Sequence, residues 1–251
     1  MKYSNEKDMQ GFKKVDTSSW ESLKDNVFIR LVNQKSLIQY DNVAYIKFLD
    51  LALTFSVQEK SNDVMLSHLL TEEDLKSFGV SIDEVKYVAL SNTTHDRKKR
   101  ILTFRESALK NNIMYPILRI PNSATLGTGN GHDGGIIKDI DDDDNDNILI
   151  LSNKHDVFGA SYMASFEVLE EVYERFGENF YIIPLSIHQV MCVRSGYVTN
   201  DGQKPSTEVD DDLLDMIEGF NDKHNKSWQD ILSYKIYYYY GDDGKHLFII
   251  K

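Results

Sequence analysis

Phe180–Arg194 reads FYIIPLSIHQVMCVR. Two apolar runs, Phe180–Leu185 and His188–Arg194, stand on either side of a short polar step. Each is too short for an independent helix and rich in aromatic and branched residues, so both read as strands. Working outward, Ser165 caps the periodic segment FEVLEEVYERF and Gly177 stops it, which predicts a helix. Before that helix, ILILS (Ile148–Ser152) and VFGASYM (Val157–Met163) read as two strands joined by the turn NKHD. After the second strand, Asp210-Asp211-Asp212 leads a helix over LLDMIEGF, its acids placed for the helix dipole. YKIYYYY and HLFII then flank the turn Gly241-Asp242-Asp243-Gly244. The order is strand, strand, helix, strand, strand, helix, strand, strand. Hairpins separated by helices predict an α+β fold: a mainly antiparallel sheet built from hairpins, with helices packed on it.

The first half is organised less regularly. Residues 1–17 are polar and are expected to be flexible. Ser18 and Glu21 have the spacing of a capping box, with a helix to about Asn26. Val27–Val32, VFIRLV, either extends that helix or forms a strand. Tyr45–Val57 reads as one strand buried on both faces. Thr71 caps EEDLKSF and Gly79 ends it; Ser81 and Glu84 then open a second helix, with Ile82, Val85, Val88 and Ala89 on one face. Ile113–Ile120 reads as extended, with Pro116 keeping it off the middle of a ladder. The expected organisation is an N-terminal α+β part over 18–120, a flexible loop over 121–147 and a C-terminal part over 148–251, as separate parts or one continuous domain.

Gly129–Gly134, GNGHDG, fits the letters of a dinucleotide-binding loop. That loop works only between a strand and a helix whose N-terminus receives the pyrophosphate. Here GIIKDIDDDD follows, which is no helix and would repel phosphate, so no cofactor is expected. The acidic run fails both calcium-loop registers, since neither glycine nor glutamate falls where such a loop needs it. Asp141 and Asp143 remain weak candidates for a loose divalent-cation site.

The chain has 251 residues, one cysteine and a net charge of −12. One cysteine allows no internal disulfide or thiolate zinc site. Nucleic-acid binding draws on lysine and arginine, and the one dense basic cluster, Arg97–Arg100, reads as a solvated stretch after a helix. With no apolar span of membrane length and no apolar leader, the expectation is a cytoplasmic protein that contacts neither membrane nor nucleic acid, with a protein as its partner.

Candidate chemistry is sparse. Cys192 lies four residues after His188, about 13 Å along a strand, too far for a nucleophile pair; it reads as a buried structural thiol. Ser186 and His188 share a strand face, but no acid or oxyanion hole completes a triad. Tyr237–Tyr240 place two rings on each face, one pair against the core and the other a candidate contact platform.

Five blocks, FLDLALTFSV (48–57), LLTEEDLKSFGVSIDEVKYVALSNT (69–93), ILSNKHDVFGASYM (150–163), FYIIPLSIHQVMCV (180–193) and LSYKIYYYYG near the end, resemble in content and order the bacterial family of unknown function DUF5688, common in Clostridia-type gut bacteria and their mobile elements. The resemblance spans about residues 18–250. It implies that Asn153, Phe158, Gly159, Pro184, Ser186 and His188 matter, and it transfers no activity. Gln189 stands where the family usually has an acid, and the resemblance implies a short version of the pattern, without the further N-terminal segment expected before the block near Val15. The leading expectation is a non-enzymatic binding or interaction module of mobile-element origin. The alternatives are a hydrolase-like enzyme with its site near Asn153, Ser186 and His188, and an acidic decoy that binds a basic protein.

Overall fold

The computed structural model describes residues 16–61, 64–111, 147–198, 230–241 and 244–250. The chain divides into two compact units between Asp96 and Arg97. Each carries its own antiparallel sheet.

In the first unit, helix α1 (Trp20–Leu23) leads through a 3-10 turn into strand β1 (Val27–Asn33), so VFIRLV is a strand. The cap of α1 is Ser19, not Ser18: the Ser19 hydroxyl accepts from Ser22 N–H, while Ser18 N–H donates to Asp16. The apolar stretch read as one strand from Tyr45 to Val57 is two, β2 (Tyr45–Phe48) and β3 (Leu51–Ser61). They fold back on each other at Leu49-Asp50, with Phe48 opposite Leu51. Leu49 takes φ 56, a left-handed backbone that sequence composition does not signal. Strand β4 (Val64–Leu69) pairs with the far half of β3, and β1 lines the other side of it. Residues 51–58 of β3 are buried on both faces, as their apolar run predicts.

Helix α2 (Glu72–Phe78) starts and stops where its caps predict, and α3 (Ile82–Thr94) starts after Ser81 as its cap predicts. Thr71 and Asp74 form the reciprocal capping box, and Gly79 takes φ 68 to end α2. Val85 and Ala89 of α3 are fully buried. The outer edge of β1 is held by α3 through polar side chains. Thr93 Oγ1 accepts from Ile29 N–H at 2.9 Å, and Asn92 Nδ2 donates to Val27 O at 2.8 Å.

Among the described residues, the second unit forms a six-stranded sheet. Its strands are β5 (Lys99–Thr103), β6 (Ile148–Asn153), β7 (Phe180–Ser186), β8 (Gln189–Arg194), β9 (Tyr237–Tyr240) and β10 (His246–Ile249). Their order across the sheet is β10-β9-β7-β8-β6-β5. Helix α4 (Phe104–Asn111) follows β5, and helix α5 (Phe166–Phe176) follows β6. Of the cluster Arg97–Arg100, Arg97 and Lys98 lie in a turn after α3, with Arg97 exposed, while Lys99 and Arg100 are half-buried and begin strand β5. Because β5 pairs with β6, it belongs with the C-terminal strands, and the division of the chain falls before it rather than near residue 120.

Val157–Met163 is not the second strand of a hairpin. Val157 and Phe158 lie in a turn and Gly159–Ala164 is a 3-10 helix. The Asn153 side chain turns the backbone back after β6, and Asp156 and Phe158 take φ 51 and 57, which ends any extended run. Strand β6 finds its partners in β5 and β8 instead.

One sheet face packs on α5, which buries Val168, Leu169, Val172 and Phe176. The Phe176 and Phe180 rings lie 5.7 Å apart, and Tyr239 O–H donates to Glu170 at 2.8 Å. Tyr238 stacks edge-on against Tyr181 on the other face. Tyr237, Tyr238 and Tyr239 are all buried. Three of the four tyrosines are therefore core, on both faces, and Tyr240 is half-buried, so the run presents no outward pair of rings.

Several expectations lie outside the described residues: the strand at Ile113–Ile120, most of the 121–147 loop with GNGHDG, Asp141 and Asp143, and the helix after Asp210–Asp212. No described helix is long and apolar enough to cross a membrane.

Candidate functional site

Asn153, Ser186 and His188 come together at one end of the second sheet, where β6 ends and β7 turns into β8. Asn153 closes β6. Its Oδ1 accepts from His155 N–H at 2.9 Å and from Val157 N–H at 3.2 Å, while its Nδ2 donates to Val157 O at 2.6 Å. Donor and acceptor are both engaged on the 154–157 turn, the local backbone mimicry that asparagine favours.

The β7–β8 turn faces this loop. Ser186 follows a register shift in the ladder, and its Oγ accepts from His188 N–H at 3.0 Å. The hydroxyl thus folds its own turn rather than meeting the imidazole. His188 Nδ1 accepts from Phe158 N–H at 3.2 Å. With Nδ1 accepting, the neutral ring carries its proton on Nε2. Nε2 faces Asp230 Oδ1 at 3.6 Å, and both side chains are about one-third exposed. Asp230 is also fixed through its main chain, accepting from Ile187 N–H at 2.8 Å.

Two further contacts lock the corner. Ser152 Oγ lies 3.3 Å from both Asp156 Oδ1 and the His188 carbonyl. Phe158 stands over His188 with ring centroids 5.7 Å apart. A left-handed backbone is tolerated by aspartate but strained for phenylalanine, of order 1–3 kcal/mol. The Phe158 strain is held by the bond to His188 and by the tight seat of Gly159 behind it.

A general base needs one ring nitrogen for its orienting partner and the other for the proton it takes. Here Nδ1 is committed to the main chain of Phe158, and Nε2 faces Asp230. Among the described residues no group of three histidine, cysteine or acidic side chains is placed to hold a metal. Cys192 is fully buried in β8, and burial pushes its thiol pKa up, the reverse of an activated nucleophile. A cavity of about 360 Å³ lies in the first unit, lined by Leu23, His68, Leu70, Asp74 and Phe78 among others, and includes none of the expected residues.

Asp230 and Ser152 were missing from the sequence expectations. Asp230 stands far from His188 along the chain, and no motif links the two. Ser152 looks like any polar residue at a strand end. Phe158 and Gly159 carried a signal only through the resemblance.

No match was found among curated proteins or among solved structures. The family model of DUF5688, a family of unknown function, matches residues 1–240. With the five blocks in order and nearly the whole chain covered, the protein belongs to DUF5688.

Proposed function

We propose that the chain is a non-enzymatic protein-binding module whose second unit supplies a rigid corner. The observation that carries this reading is the use made of Asn153, Ser186 and His188. Each commits polar atoms to neighbouring main chain: Asn153 to the 154–157 turn, Ser186 Oγ to His188 N–H, and His188 Nδ1 to Phe158 N–H, with His188 Nε2 facing Asp230. Residues arranged in this way fix a shape and leave no nucleophile beside a free base. The hydrolase-like alternative lacks that pairing.

The test uses Ser186→Ala and His188→Gln; glutamine keeps an oxygen that can accept from Phe158. The expected outcome is a lower urea midpoint for Ser186→Ala, a smaller loss for His188→Gln, and no turnover by wild type on a panel of activated carboxyl and phosphate esters. Turnover that disappears in both variants while their circular dichroism stays native overturns the reading and restores the enzyme.

A further inference from the structure

We propose that strand β10 (His246–Ile249) joins the same strand of a second copy of this chain, about a two-fold axis at Phe248. The inference stands apart from the binding-module reading, since it names the chain's own copy and no other partner.

The ladder shows which main-chain groups of β10 point outward. Ile250 N–H donates to Ile236 O at 2.9 Å, in the register that sets Phe248 opposite Tyr238. Bonded pairs alternate with unbonded ones in an antiparallel ladder. His246, Phe248 and Ile250 therefore direct their N–H and C=O groups to β9 and its approach, while Leu247 and Ile249 turn theirs to the outer side. Among the described residues, no hydrogen bond reaches either of them there.

The opposite margin of the same sheet is treated differently. Lys154 N–H donates to Lys98 O, so Lys99, Ile101 and Thr103 of β5 are the residues that face outward. Each meets a side chain at 2.9 Å: Arg100 Nη1 donates to Lys99 O, Arg175 Nη1 donates to Ile101 O, and Thr103 N–H donates to Glu106 Oε2. A lysine, a proline or a bulge in the strand also discourages a newcomer. HLFI has no lysine or proline, and its ladder runs without a register shift. Lys245, next along, is turned to Glu170 of α5 at 3.3 Å. The strand is apolar instead: Phe248 is 39% exposed, and Leu247 and Ile249 are half-buried.

The spacing of these features selects the occupant. The two open residues flank Phe248 symmetrically, one on each side. An antiparallel copy centred on Phe248 sets Leu247 opposite the copy's Ile249, and Ile249 opposite the copy's Leu247. Each of these pairs then exchanges both N–H···O bonds. Phe248 falls opposite its own counterpart at an unbonded position, where Cα atoms approach to about 4.5 Å and side chains are closest. Both rings lie on the face where Phe248 meets Tyr238, ring centroids 5.7 Å apart. The exposed ring is thus covered by an identical ring, an aromatic pair across the strands. Such a contact uses the same patch on both copies and closes at two. Four residues a side bury less than about 1,200 Å², so the dimer belongs to the weak, concentration-dependent class.

The experiment is sedimentation velocity of the full chain from about 2 to about 200 μM, in about 0.3 M NaCl to screen the net charge of −12. Wild type is expected to dimerise as concentration rises. Phe248→Lys puts like charges face to face at the axis. Ile249→Pro removes an outward N–H and leaves every bond to β9 in place. Each is expected to weaken the dimer at least about tenfold. Tyr87→Lys, the same charge change at an exposed position of α3, is expected to leave it unmoved. Mild oxidation reads the register. Phe248→Cys is expected to give a disulfide-linked dimer, since about 4.5 Å between Cα atoms suits the bond. His246→Cys would lie about 13 Å from its own copy and is expected to stay unlinked. A monomer at every concentration, a dimer indifferent to Phe248→Lys and Ile249→Pro, equal loss in Tyr87→Lys, or linkage of His246→Cys as ready as that of Phe248→Cys overturns the proposal. Should Phe248→Lys lose its native circular dichroism, Ile249→Pro and the two cysteine variants decide. None of these results bears on ester turnover, so this proposal and the binding-module reading fail separately.

Discussion

A Cβ on Gly159 would stand 2.6 Å from the His188 carbonyl oxygen and 2.7 Å from Ser152 Cα. Both neighbours are main chain and cannot swing away. Gly159→Ala should therefore push the 3-10 segment off the β7–β8 turn and cost about 3 kcal/mol or more. Urea denaturation measures it; a variant within about 0.5 kcal/mol of wild type would show that the corner is loosely packed.

Asn153 separates two roles. Asn153→Asp keeps the oxygen that accepts from His155 and Val157 N–H but places a second oxygen against Val157 O, now 2.6 Å from Nδ2. Asn153→Ala loses all three bonds. Both variants should lose about 2 kcal/mol or more, a loss that leaves the aspartate variant no better than alanine at neutral pH. If aspartate behaves as wild type, the Nδ2 bond contributes nothing.

The turn at Leu49-Asp50 is strained in a way that one change relieves. Its first residue has φ 56, the conformation that a tight hairpin ordinarily gives to glycine. Leu49→Gly should stabilise the first unit by about 1 kcal/mol, the cost of holding an L-side chain there, less any packing lost with the leucine. A lower melting temperature would mean that the side chain matters more than the backbone.

Alkaline pH should weaken the second unit. Burial, with a smaller effect of Tyr238, pushes the Tyr181 pKa up to about 12. The folded pKa lies above that of the unfolded chain, near 10. The stabilisation is complete below pH 10 and is lost as pH rises towards about 12. Unfolding midpoints across this interval should fall with pH, and Tyr181→Phe should flatten the slope. An unchanged slope in that variant would place the titration elsewhere.

Cys192 should be chemically silent while the chain is folded. It is fully buried in a central strand and its thiol is held protonated by desolvation. Ellman's reagent should find no fast-reacting thiol in native protein and one in denaturant. Fast labelling of native protein would contradict the burial of β8.

Much of the architecture could be read directly from the chain because the signals were local. Thr71, Ser81 and Ser165 cap helices exactly because their hydroxyls meet the N–H groups three residues on, a relationship written in consecutive letters. Phe180–Arg194 announced its hairpin for the same reason. What failed depended on backbone dihedrals or distant partners. Leu49 and Phe158 adopt left-handed conformations that their side chains disfavour, so neither the fold-back of β2 on β3 nor the 3-10 path of Gly159–Ala164 is visible in the sequence. The mutual geometry of Asn153, Ser186 and His188 is likewise not written in their local sequence. Whether a serine meets an imidazole or a main-chain N–H is decided by a register shift in the β7–β8 ladder.

The side chains of Asn92 and Thr93 occupy hydrogen-bonding groups of Val27 and Ile29 that would otherwise line the open border of the first sheet. A border left bare is a template on which a strand from another molecule can grow. Helix α3 therefore works as a guard as well as a packing layer, and weakening its last turn should show itself first as self-association rather than as unfolding.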